Sequence, residues 1–143
     1  MLHTVVGLLW VTVGLMLFVG QVNSVVSFPL AQRLGLQEDP KTADPLSSRL
    51  ELMTARWDIA LLWLPPIAGL LILLDHPWWP AVSLIAGGIY VDTGGREWAK
   101  VQGLKTQGVP AGSAKEQMIM KVTYGFFIVT GIAAIALALP TMI

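Results

Sequence analysis

The sequence predicts an all-α polytopic integral membrane protein, a four-helix transmembrane bundle whose second and third helices form a tight hairpin. Three observations carry that prediction. Charge is scarce: 13% of residues are Asp, Glu, Lys or Arg and 55% are hydrophobic, whereas soluble domains carry about a quarter charged residues. Four long apolar stretches are separated by charged or turn-rich connections. All nine Lys and Arg residues fall in just two of those connections. The length suits a single domain over residues 1–143.

Helix one is expected at about residues 2–24, where the apolar run Leu2–Val22 is long enough to span; a crossing needs roughly 20 residues. No positive segment precedes it and no A-x-A-like site follows. It therefore reads as a permanent helix and not as a cleaved leader. The stretch from Val25 to Ala43 holds prolines and charges, and reads as a surface connection.

Helix two is expected at about residues 45–75. Asp44 is a natural N-cap and Pro45 suits the first helical position. This start leaves two or three turns outside the bilayer before the apolar run from Ile59 to Leu74. Pro65 and Pro66 lie mid-helix. Proline lacks the backbone donor and clashes with the carbonyl four residues earlier, which frees the carbonyls of Leu61 and Leu62. The prolines of DHPWWP then break the chain and fold it back.

Helix three is expected at about residues 79–102. Its apolar run ends at Val91, so it reaches spanning length only by continuing to about Trp98. Helix four is expected at about residues 114–140, opened by the capping pair Ser113 and Glu116. Trp78 and Trp79 mark the outer interface, and Trp57 and Trp98 the inner one. Gly7, Thr12, Gly14 and Gly20 on helix one, with Gly125, Gly131, Ala134 and Ala138 on helix four, mark close packing within one chain or between chains.

Orientation follows from the cations. Arg33, Lys41, Arg49 and Arg56 lie between helices one and two. Arg96, Lys100, Lys105, Lys115 and Lys121 lie between helices three and four. The positive-inside rule puts both segments in the cytoplasm and both termini outside a plasma (inner) membrane.

Few polar residues need chemistry to explain them. Asp92 ends ten uncharged residues and shares a face with Ala81, Ile85, Gly88, Gly95 and Ala99. Small residues admit a neighbouring helix, so this face is expected to point into protein. Asp92 then lies about 20 Å past Trp79 at roughly 1.5 Å per residue. Arg96, at i+4, is its expected partner. Counting outward from the hairpin turn sets Asp58 level with Glu97. Arg56 and Asp58 are thus expected to cross-pair with Glu97 and Arg96. The freed carbonyls, Tyr90, Thr93, Asp92 and Arg96 converge on one candidate polar pocket. It reads either as a proton, ion or substrate site or as a fixed ion pair beside a kink.

Other chemistry is disfavoured. Net charge is zero and no basic-aromatic pattern suggests nucleic acid. The chain has no cysteine for disulfides or thiolate sites. His3 and His76 are too few for a metal site and both lie near the outer rim, which argues against bis-histidine haem. No metalloprotease, P-loop, nucleophile-elbow or dinucleotide motif is present. No cofactor is indicated.

The layout of a span, a basic loop, a tight hairpin, a second basic loop and a last span is similar to that of the DoxX-like and anthrone-oxygenase-like four-helix membrane families. That resemblance implies a layout and carries no site residue onto this chain. Two functional readings follow. The first is a non-enzymatic accessory or interaction subunit, whose partners are the lipid bilayer and either further copies of itself or another membrane protein. The second is a membrane-embedded transporter or enzyme acting on a lipophilic or proton-coupled small molecule at the Asp92 pocket.

Overall fold

The computed structural model describes residues 2–142 and is helical throughout, with no strand among them. The helices are α1 (Leu2–Val26), α2 (Phe28–Arg33), α3 (Pro45–Leu61), α4 (Leu64–Leu73), α5 (Trp79–Thr106) and α6 (Ala114–Ala138), followed by a 3₁₀ turn at Leu139–Thr141.

Local chemistry sets the boundaries. Asp44 Oδ1 accepts from the Leu46 N–H at 2.8 Å and starts α3. Ser113 and Glu116 form a reciprocal capping box that opens α6. The second helix is two pieces. α3 stops at Leu61, just before Pro65 and Pro66, and α4 restarts at Leu64. At the break the Trp63 indole donates to the Ala60 carbonyl at 2.9 Å, one residue before the Leu61 and Leu62 carbonyls that the prolines leave without a helical donor. The connection after α1 is more ordered than expected. It contains α2, and Gly35 closes that helix with a positive φ of 70°.

Three helices are long and apolar enough to cross a membrane: α1, the α3–α4 segment and α6. Only 17% of the apolar window of α1 and 22% of that of α6 is buried. So much bare apolar surface calls for lipid or a partner, which supports a membrane location. α5 has the length, but Asp92, Arg96, Glu97, Lys100 and Lys105 occupy it from its midpoint on.

α1 packs on α3 and α4, α4 on α5, and α5 along α6. The core joins Trp10, Leu62, Tyr90 and Phe127. Tyr90 is its hinge, 5.3 Å from the Trp10 ring and 5.0 Å from Phe127, centroid to centroid. Close approach comes from Gly7 and Gly69 between α1 and α4, and from Gly87, Gly94 and Gly131 between α5 and α6. Gly20 and Gly125 meet nothing and serve no such contact. Trp79 also departs from expectation. It is buried beside Ile72 and Ala138, with the His3 ring 5.0 Å away, so it belongs to the core and not to an interfacial belt.

Candidate functional site

The expected inward face of α5 is the outward one. The Asp92 side chain is 59% exposed. Ala81, Ile85, Gly88, Gly95 and Ala99 are exposed with it. The buried face carries Ser83, Ala86, Gly87, Tyr90, Thr93, Gly94 and Glu97. The reason is steric. Gly87 and Gly94 let α5 lie directly on the α6 backbone, where a Cβ would stand 2.8 Å from the Gly131 carbonyl and 2.7 Å from that of Tyr124.

The expected pocket residues therefore separate. Tyr90 is sealed in the core with an unpartnered hydroxyl. Asp92 stays outside, 3.5 Å from Arg96 Nε. Arg96 turns the other way and meets Asp58 Oδ1 at 2.7 Å. Thr93 alone of that group lines a cavity. Arg56 is exposed and forms no ion pair among the described residues. Glu97 is buried, 3.5 Å from Arg96 Nη1, and its closer partner is Lys100 at 2.5 Å.

The cavity measures about 240 Å³ and lies at the end of the fold where the charged residues gather. That is far more than the roughly 10–15 Å³ one water needs and just under the usual range for ligand pockets, about 300–1,000 Å³. Leu17 and Gln21 of α1 form one side; Ile119, Met120, Thr123 and Phe127 of α6 form the other. α1 and α6 do not pack on each other as their neighbours do, and the cavity fills the gap between them.

Its polar wall is acidic. Glu38, Glu51, Asp58, Glu97 and Glu116 line it, and no Lys, Arg or His does. The compensating cations stand behind the wall. Lys100 Nζ bridges Glu51 at 2.7 Å and Glu97 at 2.5 Å, and Arg96 holds Asp58. Thr93 is 3% exposed, and its hydroxyl has no hydrogen-bond partner. A buried hydroxyl left unpaired costs about 1–3 kcal/mol; the oxygen itself is buried, so Thr93 borders the cavity without opening its hydroxyl to it.

Glu38, Glu51, Lys100 and Glu116 lay outside the sequence-based pocket. A signal for two of them was present. Glu51 and Asp58 sit seven residues apart on one face of α3 with Ala55 between them, and Lys100 follows Glu97 by three. Nothing local marks Glu38, which reaches the cavity from the connection after α2.

No group of three or more His, Asp or Glu side chains among the described residues is placed to hold a metal ion. The carboxylates ring the cavity without converging on one point. The chain matches no protein-family model, no curated protein and no solved structure. The functional reading therefore rests on the cavity itself.

Proposed function

We propose that this chain is a four-span helix bundle of the plasma (inner) membrane, with both termini outside, that binds a small amphiphile in the acidic cavity between α1 and α6. α5 serves as the fourth crossing and forms the hairpin with α4. The cavity carries the reading: it joins an apolar side built from α1 and α6 to an acidic polar wall. A molecule with a polar head and an apolar chain fits both, and the gap between α1 and α6 gives it a lateral route from lipid. Binding, carriage or chemistry on such a molecule would all begin there.

Thr123 lines the cavity from α6 and is only half-buried, so an indole there fills space without entering the core. Single-chain amphiphiles are expected to raise the thermal midpoint of the purified protein. Saturation at 100 times Kd corresponds to about 2.7 kcal/mol. Thr123→Trp should keep its unliganded midpoint and lose the response. An equal response in both proteins, or none in the wild type, sinks the binding reading.

Topology has its own check, made clean by the lack of native cysteine. In intact cells, His76→Cys is expected to react with a membrane-impermeant maleimide, and Lys105→Cys only after permeabilisation. The reverse pattern would overturn the orientation.

A second reading, an interaction subunit or homo-oligomer, draws on a different observation. The outward stripe of α5 leaves Gly88 and Gly95 with open space beside them and exposes Asp92. Small residues with a carboxylate at membrane depth suit a helix–helix contact.

A further inference from the structure

Resting on the binding reading above, we infer that the cavity takes a cationic amphiphile with an ammonium head, and that Glu38 is the carboxylate that meets its charge.

Most of the acids that line the cavity already have partners. Asp58 has Arg96, and Glu51 and Glu97 share Lys100. Glu116 is spent on the α6 cap, accepting from the Ser113 N–H at 2.6 Å. Glu38 alone is both deeply buried, at 8% exposure, and without an ion pair among the described residues. It nonetheless lines the cavity. A buried ionised carboxylate without a cation is strongly disfavoured. In the empty protein Glu38 therefore holds its proton to a higher pH than an ordinary carboxyl, and an ammonium in the cavity supplies what the fold withholds.

Its surroundings supply no cation partner among the described residues. The charged groups that act on it are Glu51 from α3, Asp44 just before α3 and Glu116 from α6, all of them acidic. Burial chiefly, then Glu51, pushes the Glu38 carboxyl above the ordinary carboxylate range, against a smaller opposing effect from the Ser47 hydroxyl. Its position is held. Gly35 turns the chain back at a positive φ, and Gln37 donates to Ser24 Oγ on α1 at 3.1 Å. Leu17, Ile119 and Phe127 offer the apolar surface for a chain. An anionic head would instead meet an acidic lining that includes no Lys, Arg or His.

Proton balance follows. Below its raised pKa, Glu38 loses one proton as one ammonium binds, so there the empty site carries a proton and the filled site carries the cation. Protons compete with the ligand, and affinity should fall as pH drops through the raised Glu38 pKa.

The test uses the full chain in nanodiscs of zwitterionic lipid, with partitioning into empty nanodiscs subtracted. The probes are decylammonium, decanol and decanoate. Decylammonium is expected to bind at least about tenfold more tightly than decanol, the gain of a charge-assisted hydrogen bond; decanoate should bind more weakly than either. Calorimetry in buffers of different ionisation enthalpy should show proton release with decylammonium and none with decanol. Glu38→Gln should erase the cation preference and the proton release while decanol binds as before. Decanol binding as tightly as decylammonium, or binding of decylammonium without proton release at any pH at which the protein stays folded, overturns the inference and leaves the cavity reading standing; neither measurement needs a variant. A Glu38→Gln protein that keeps its preference overturns it as well. If none of the three probes binds, both readings fall together.

Discussion

Arg96→Met is expected to destabilise the protein more than Asp58→Asn, although the two residues form one ion pair. The asymmetry comes from burial. Asp58 is 2% exposed, while Arg96 is 30% exposed and also lies 3.5 Å from both Asp92 and Glu97. Removing Arg96 leaves a buried carboxylate with no partner, a change that costs about 3–5 kcal/mol when the pair is fully buried. Removing the charge of Asp58 leaves a half-exposed guanidinium that can turn to Asp92, Glu97 or water, at a cost of about 1–2 kcal/mol. The double variant Arg96→Met with Asp58→Leu should recover much of the loss, because apolar replacements of buried pairs are often neutral. Reversible unfolding in mixed micelles, followed by tryptophan fluorescence, measures each variant and closes the cycle. If Asp58→Asn is the more damaging change, the burial argument is wrong and Arg96 is held by its exposed neighbours instead.

The same pair shows how far the sequence could be read. Asp58, Arg96 and Glu97 were legible as a cluster because a short proline turn fixes the register between the α3–α4 segment and α5. Membrane character was legible because spanning length and charge scarcity are properties of composition. Three helices meet that standard; α5 does not, since its second half is charged. The break at Pro65–Pro66 was legible, since proline cannot complete the hydrogen-bond ladder. The Glu38 contribution was not. It depends on how the connection after α2 folds back over α1, and no periodicity encodes that.

The direction of Asp92 failed for a sharper reason. The chain carries two adjacent glycine pairs, Gly87–Gly88 and Gly94–Gly95, seven residues apart. Each pair puts one small residue on each of two neighbouring stripes, so small-residue spacing fits either face. What breaks the tie is the remainder of each stripe. Tyr90, Thr93 and Glu97 accompany Gly87 and Gly94, and they bring a ring and polar groups that find partners or a cavity inside. Asp92 accompanies Gly88 and Gly95, and Arg96 has a better partner in Asp58. The combined demand of a phenol, a hydroxyl and a second acid outweighs that of a lone carboxylate.

That tie gives the second large effect. Alanine at Gly87 or Gly131 should destabilise, while alanine one residue along, at Gly88, should not. A Cβ on Gly131 would stand 2.6 Å from the Gly87 carbonyl, and one on Gly87 would stand 2.8 Å from the Gly131 carbonyl. Both obstacles are backbone, so no rotamer change relieves them and α5 must move off α6. Overpacking of this kind costs about 1–3 kcal/mol, and larger side chains should separate the helices. Gly88 and Gly95 have nothing within 4 Å. Alanine there removes a poor helix former worth up to about 1 kcal/mol, so unfolding measurements should show no loss or a small gain. Because the substitutions are chemically identical, the difference in sign isolates the packing of α5 on α6. The outcome also bears on the second functional reading. A copy or partner seated on the outward stripe would approach Gly88 and Gly95 as closely as α6 approaches Gly87 and Gly94. Alanine at Gly88 or Gly95 would then lower stability and shift the protein's mass in native mass spectrometry towards the separated chain. With the stripe facing lipid, neither change occurs.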